Sequence, residues 1–383
     1  MDNFDVVIVG GGMVGAAVAL GFAKQGRTVA VIESCIPEAF DASQAFDLRI
    51  SAISQTSVQL LESLGAWESI ARMRTCPYRR LETWEHPECR TRFNSEDLAL
   101  PQLGYMVENR LIQLGLWQQF EHYSNLTLLC PEKLERIDFD ELNTVHLQSG
   151  KSLKAQWVVG ADGANSKVRQ LAHIGVTAWD YRQQCMLINV ETEMPQQDIT
   201  WQQFFPSGPR SFLPLLGQQA SLVWYDSPAR IRQLCALDAD ALRGEILSHF
   251  PQELGDIKVL KWGAFPLTRR HAQQYFKRQC VVVGDAAHTI NPLAGQGVNL
   301  GLKDAKVLLN ATEGKARLSD DLLYEYQCRR YPDNLLMQTG MDLFYKTFSN
   351  QVPPVKLLRN AVLKLAEHSG SVKGQVLKYA LGL

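Results

Sequence analysis

The sequence predicts an α/β fold, α+β overall: a parallel sheet wrapped by helices, interrupted by inserted antiparallel strands and followed by C-terminal helices. Three observations predict it. The apolar runs "FDVVIV" (4–9), "QWVVG" (156–160) and "CVVVG" (280–284) have the length and composition of buried parallel strands, and each leads straight into glycine or a Gly-Asp pair. Residues 73–101 and 183–264 instead contain stretches of alternating polarity. Residues 313–383 read as mostly helical and polar-basic.

The first strand leads into Gly10-Gly11-Gly12-Met13-Val14-Gly15, which fits G-x-G-x-x-G, and small residues continue as a helix to Gly26. A second strand, "TVAVIE", ends at Glu33. Strand, fingerprint, helix, strand and terminal acid in that order define a Rossmann-like dinucleotide site. Gly10 permits the tight turn, Gly12 lets backbone approach a pyrophosphate, and Gly15 lets helix and strand pack closely. The helix start offers free N–H groups and a positive dipole end to phosphate. Glu33 suits the ribose hydroxyls and would repel a 2′-phosphate, which points to FAD or NAD.

Two further strand-then-acid elements lie far downstream. "GADGANSKVR" (160–169) follows the second apolar run and presents Asp162-Gly163. The third run delivers Gly284 and Asp285, and Gly295, Gly297 and Gly301 then open a helix. A carboxylate at the end of a parallel strand suits the hydroxyls of a ribityl chain, and a helix start suits the flavin pyrimidine edge, negative when reduced. An NAD dehydrogenase would finish its site within one contiguous domain, so the spacing favours FAD.

These motifs make the cofactor domain discontinuous: 1–72, 102–182 and 265–312. Residues 73–101, with "RRLETWE" and "CRTRFN" as a hairpin around "HPE", and 183–264 form an antiparallel substrate sheet, and 313–383 a helical region.

Composition narrows the partners. Hydrophobic content of 46% and charged content of 21% are those of an ordinary globular protein. A net charge of −1 provides no field to recruit nucleic acid. No apolar run approaches the ~20 residues of a membrane span. The opening "MDNFDVVIVG" predicts neither a secretory signal nor a transit peptide. Eight cysteines without a C-x-x-C pair predict reduced thiols in a cytoplasmic protein, and no metal site, since His and Cys never fall at ligand spacing.

With the motifs "GGGMVG" plus Glu33, "GADGANSKVR" and "GDAAHTINPLAGQGVNLG" in order, the chain resembles the flavin-dependent aromatic hydroxylases of the para-hydroxybenzoate hydroxylase type. "DLRISAIS", "YRRLETWE", "GYMVEN", "TWQQF", "SLVWYDSPARIRQL", "MDLFY" and "LKYALGL" are similar to the ubiquinone-biosynthesis group within it, and most to the branch that adds the last ring hydroxyl. The resemblance implies bound FAD, NAD(P)H as transient electron donor, O2 as cosubstrate, and hydroxylation of a prenylated benzoquinol through a flavin C4a-hydroperoxide. The Asp162-Gly163 motif would touch FAD and the nicotinamide donor, Gly284-Asp285 the ribityl chain, and Arg49 the flavin and its pyrophosphate. Such chemistry needs a dry pocket rather than a catalytic base.

Pro292, Gly295, Gln296 and Gly297 are the expected flavin-edge loop, with Asn299 behind it. Trp201, Phe204, Phe212, Trp224 and Asn291 are candidates for the ring pocket, with ordinary sheet core as the equal alternative for the aromatic set. His288 reads as a structural histidine beside the ribityl site. Val355, Leu358, Ala361, Val362, Leu365 and Ala366 recur at helical spacing among Lys356, Arg359, Lys364, Lys373 and Lys378. That basic amphipathic stretch fits an anionic membrane surface (the inner face of the cytoplasmic membrane), a ubiquinone-biosynthesis complex, another subunit of a homo-oligomer, or its own core. Three other readings stay open: a hydroxylase for an earlier ring position or a soluble aromatic acid held by Arg210, a non-catalytic FAD-binding scaffold, and a plain NAD dehydrogenase.

Overall fold

The computed structural model describes residues 2–290, 296–350 and 352–367. Its centre is an eight-stranded sheet in which Asp2–Val9 runs parallel to Ser152–Gly160 on one side and to Val29–Ile32 on the other. Cys280–Val282 and Leu126–Leu129 extend the parallel array outward. The apolar runs are unbroken because both faces of these strands are covered: Val6, Val7, Ile8, Val158, Val159 and Val281 are fully buried. The Met13–Lys24 helix buries every residue from Gly15 to Ala23. It meets the Gln296–Thr312 helix so closely that a Cβ on Gly21 would stand 2.1 Å from Leu309 Cδ1.

A second eight-stranded sheet is built on two long strands, Val176–Thr192 and Ile257–Ala272, paired antiparallel from Val176↔Ala272 to Thr192↔Ile257. Both run straight through the expected edges at 182/183 and 264/265, because their pairing resumes after an irregularity between Asp180 and Gln184. Gln219–Asp226, Arg210–Pro214 and Ile199–Gln203 follow in antiparallel order. The hairpin Arg80–Trp84 with Thr91–Asn94 then joins, its first strand parallel to Ile199–Gln203. Segments more than a hundred residues apart in sequence thus make one sheet.

The two faces of this sheet are distinct. Met186, Ile188, Leu222 and Trp224 pack beneath the helices Pro228–Cys235 and Ala239–His249, against Ile231, Leu234, Leu242 and Ile246. The alternate residues Cys185, Leu187, Val223 and Tyr225 form the opposite face with Leu213, Phe265 and Leu267. That face turns toward the first domain. Arg49 lies 4.0 Å over the Phe265 ring, and Asn189 Nδ2 donates to the carbonyls of Phe46 and Asp47 at 3.0 and 3.1 Å.

The Asp320–Ser349 helix is unusual in what it buries. Arg330, Asn334, Gln338 and Asp342, one per turn, all point inward. Arg330 and Asn334 bind Asp304, Gln338 accepts from His271 Nδ1, and Asp342 receives Arg269 and the Tyr181 hydroxyl. The Pro353–Glu367 helix docks through Arg359 and Asn360, both bonded to Glu85, and through the buried Leu363.

Candidate active site

Register brings the sequence motifs together. Gly160 pairs with Val9 on one side and Val282 on the other, and Val9 pairs with Ile32. Four parallel strands therefore end level, and Gly10, Glu33, Asp162 and Gly284-Asp285 leave the sheet side by side at its carboxyl edge, the ligand crevice of open α/β sheets. Gly10 has φ +100° and stands so close to the next turn that a Cβ would lie 2.4 Å from the Ala161 carbonyl oxygen. At Gly15 a Cβ would lie 1.8 Å from the Gly10 carbonyl oxygen. Gly12 is different: a Cβ there meets nothing within 4 Å. The space in front of the helix start is open, as an approaching phosphate requires.

The carboxylate of Glu33 is locked to the loop it serves. Its Oε2 accepts from Gly11 N at 2.7 Å, and Oε1 from the backbone N of Ser34 and Cys35 and from Ser34 Oγ. Among the described residues Oε2 takes one donor, which leaves it acceptor capacity suited to a ribose hydroxyl. Gln113 Nε2 and Trp117 Nε1 both donate to the Gly11 carbonyl, at 3.0 and 2.7 Å. These two supports, a hundred residues downstream, belong to no local motif and were invisible in the sequence.

Asp162 Oδ2 accepts from the backbone N of Lys167 and Val168, while Oδ1 is buried with no partner among the described residues. Gly163 follows at φ +77°. The buried Arg169 donates to the carbonyls of Ala164 and Ala286 at 2.9 and 2.7 Å, tying the Asp162 turn to the Asp285 turn. Arg270 adds a second tie to Ala164 at 2.7 Å.

Gly284, at φ +58°, donates its N–H to Asp304 Oδ2 at 2.9 Å. Asp304 is fully buried and also accepts from His288 Nε2 at 2.6 Å, Arg330 Nε at 2.7 Å and Asn334 Nδ2 at 3.1 Å. Burial alone would raise its pKa, but the contacts with His288 and Arg330 outweigh it and hold the carboxyl well below the usual range. His288 is thus a structural partner of Asp304. Asp285 is accessible yet ringed by protein, the geometry of a crevice floor. That crowding raises its pKa, against the opposing pull of His288, Arg49 and Arg270.

The remaining candidates divide. Gln296 and Gly297 begin the Gln296–Thr312 helix, while Asn291, Pro292 and Gly295 lie outside the described residues. The Asn299 side chain is committed within the chain, to Ala52 O, Ser54 N and Ser57 Oγ, so it braces the helix start. Arg49 is exposed. Of the aromatic set, Trp201, Phe212 and Trp224 lie in the sheet core on the helix-covered face, the alternative weighed for them, because strand alternation turns them from the first domain. Phe204 packs elsewhere, against Phe344 and Phe348 of the long C-terminal helix. On the opposite face, where Arg49 stacks on Phe265, are Cys185, Leu187, Leu213, Val223, Tyr225 and Phe265. Burial pushes the Cys185 thiol up to about 12 and raises the Tyr225 phenol as well, so both stay neutral. Ser221 Oγ, on that same face, is buried without a hydrogen-bond partner among the described residues, and Tyr225 Oη lies within hydrogen-bonding reach of the Cys185 thiol. Only the period of two in "SLVWYD" could have separated these residues from the Trp224 side.

A level row of glycine and acid turns at the carboxyl edge of a parallel sheet, beside a second apolar sheet, defines a flavin-nucleotide protein. The chain belongs to the FAD binding domain family, whose model matches residues 3–338. Among curated proteins it is 54% identical to 3-demethoxyubiquinol 3-hydroxylase of Escherichia coli (strain K12), over 99% of this chain and 98% of that one. It is 34% identical to ubiquinone hydroxylase UbiL of Rhodospirillum rubrum (99% and 89% covered), and 30% to the mitochondrial ubiquinone biosynthesis monooxygenase COQ6 of Homo sapiens (98% and 92%). Among solved structures, p-nitrophenol 4-monooxygenase PnpA from Pseudomonas putida shares the fold, with TM-score 0.81 at 21% identity over 98% of this chain and 97% of that one.

Proposed function

We propose that the protein is an FAD-dependent monooxygenase that hydroxylates the ring of demethoxyubiquinol, a prenylated benzoquinol, using NAD(P)H and O2. The observation that carries the reading is the level row of motif turns beside the Tyr225 face of the second sheet. The 54% identity to a 3-demethoxyubiquinol 3-hydroxylase supports the ring position.

The residues fit FAD. Gly12 leaves room where the pyrophosphate would approach, the free acceptor capacity of Glu33 Oε2 would suit the adenosine ribose, and the exposed Asp285 would suit the ribityl hydroxyls. Bound there, FAD supplies the activation of oxygen after reduction by the nicotinamide donor. The chain's own part is orientation and exclusion of water. Cys185, Leu187, Val223 and Phe265 present an apolar wall. On it, Ser221 Oγ, buried without a partner among the described residues, and the neutral Tyr225 hydroxyl, which leans on the Cys185 thiol, would offer hydrogen bonds to ring oxygens. With the thiol and the phenol both held neutral, this face carries no anion that would repel an electron-rich quinol.

The test is the lipid quinone pool of cells lacking the gene, read by mass spectrometry. Accumulation of the demethoxy intermediate and its loss on complementation are expected. Accumulation of an earlier intermediate moves the enzyme to a sibling step, and a normal pool overturns the pathway.

The last helix supports peripheral binding to an anionic membrane. Leu358, Ala361, Val362 and Leu365 of the stripe are exposed beside Lys356 and Lys364, while Arg359 and Leu363 make the docking face. No helix among the described residues is long and apolar enough to cross a membrane. Flotation with anionic vesicles, abolished by Leu358→Ser with Leu365→Ser, is the expected outcome. Flotation unchanged by that pair overturns the placement.

A further inference from the structure

Three consecutive glycines pose a problem that the fingerprint alone does not solve. With Gly10, Gly11 and Gly12 side by side, no Cβ restrains the peptide joining Gly11 to Gly12, and its plane is free to turn over. That peptide is trans, so its carbonyl oxygen and its N–H point to opposite sides. Toward a phosphate the two orientations are opposite in effect: an N–H binds the anion and a carbonyl oxygen repels it.

One orientation is held from outside the motif. The Gly11 carbonyl accepts from Trp117 Nε1 at 2.7 Å and from Gln113 Nε2 at 3.0 Å. The two donors stand one turn apart on the Asn109–Gln118 helix and share a face of it. That helix is seated on the Trp67–Met73 helix so closely that a Cβ on Gly115 would lie 2.4 Å from Ile70 Cγ1. The Trp117 ring in turn stacks with Phe120, centroids 6.1 Å apart. The N–H of Gly11 is held by Glu33, so both peptides flanking this residue are fixed. Gly11 is buried, and a Cβ on it would lie 3.1 Å from both Glu33 Cβ and Trp117 Cζ2. With the carbonyl drawn toward the Asn109–Gln118 helix, the Gly12 N–H is turned away from it, and a Cβ on Gly12 meets nothing within 4 Å.

We propose that Trp117 and Gln113 are positioning residues for the cofactor: by holding the Gly11 carbonyl they aim the Gly12 N–H at the FAD pyrophosphate. The proposal rests on the FAD part of the reading above and is independent of which ring is hydroxylated. Glu33 makes the arrangement a unit, since the carboxylate suited to the ribose also fixes the Gly11 N–H. A role confined to satisfying a buried carbonyl would stabilise the fold without distinguishing ligands that carry phosphate from those that do not.

The experiment uses Trp117→Phe, which keeps an aromatic ring and loses the N–H, Gln113→Met, which keeps the length and loses the amide, and the pair together. FAD is stripped from the purified holoenzyme, and its rebinding is titrated by flavin fluorescence with ADP or adenosine as competitor. The FAD Kd is expected to rise about 2- to 10-fold for each single variant, the scale of one hydrogen bond, and about 10- to 100-fold for the pair. ADP is expected to weaken in parallel, while adenosine, which has the ribose and no phosphate, stays within about twofold of the parent. A double variant whose FAD Kd is within about twofold of the parent overturns the proposal, and so do equal losses for ADP and adenosine. A parent protein that holds no FAD and binds none overturns the cofactor reading, a separate result. Should the variants or the stripped protein fail to fold, a crystal structure of the parent holoenzyme decides. A phosphate oxygen within hydrogen-bond distance of Gly12 N supports the assignment, and a pyrophosphate placed elsewhere refutes it.

Discussion

Arg330→Met tests whether the Asp304 carboxylate holds the cofactor turn in place. Arg330 is 1% exposed and donates Nε to Asp304 Oδ1, whose other oxygen accepts from Gly284 N and His288. Methionine preserves much of the volume but leaves a buried carboxylate with one cation fewer, a change that costs about 3–5 kcal/mol when a buried pair is broken. At about 2.1 cal/mol/K per residue, 383 residues give an unfolding entropy of about 0.8 kcal/mol/K, so Tm falls by about 4–6 °C. The apoprotein melt and an FAD titration followed by flavin fluorescence are the assays, and weaker FAD binding is expected alongside the lower Tm. Adding Asp304→Leu removes the stranded charge. At least half of the Tm loss is expected to return, while FAD stays weak because Gly284 N still lacks its acceptor. A Tm shift below about 1 °C with unchanged FAD affinity would refute the reasoning.

Three further outcomes are expected. Gly15→Ala places a methyl 1.8 Å from the Gly10 carbonyl and abolishes FAD retention on a desalting column; a yellow variant with normal flavin content contradicts the packing argument. Tyr225→Phe removes one neutral hydrogen bond to the ring and lowers kcat/KM for the quinol by about 5- to 100-fold at unchanged FAD content, as steady-state rates with purified enzyme will show. His271 has its pKa lowered from 6.5 to about 4 by burial, with His288 and Arg269 adding to the effect and its bond to Gln338 opposing. The unfolded chain thus binds a proton that the folded chain refuses. The contribution is full above pH 6.5 and is lost as pH falls toward 4, so His271→Asn flattens the slope of Tm over that window.

What was legible in the sequence is what the backbone must do locally. Gly10, Gly15, Gly163 and Gly284 mark turns and close approaches that require those residues, and the apolar runs mark strands buried on both faces. The hairpin 80–94 was legible for the same reason, through its alternation. The facing of the second sheet was not. In "SLVWYD" the largest side chain, Trp224, drew attention as a pocket wall, yet it lies under the helices while its neighbours Val223 and Tyr225 form the face turned toward the first domain. Composition cannot choose between the faces of a strand whose two sides are both apolar. The choice belongs to the helices Pro228–Cys235 and Ala239–His249, which cover one side.

The long C-terminal helix shows the deeper reason. Its inward stripe, Arg330, Asn334, Gln338 and Asp342, repeats every four residues as an amphipathic helix should, but in polar residues. Read by hydropathy, that stripe is the solvent face, and the exposed Leu335, Leu336 and Leu343 would be the buried one. The structure inverts the assignment because each polar residue meets a fixed partner: Asp304 behind the flavin turn, His271 and Arg269 on the long strand, and Tyr181 on its neighbour in the second sheet. Buried polar contacts are directional and fail when shifted, whereas an apolar seam tolerates sliding. A helix seated this way fixes the register between the cofactor turn at one end and Tyr181 of the second sheet at the other.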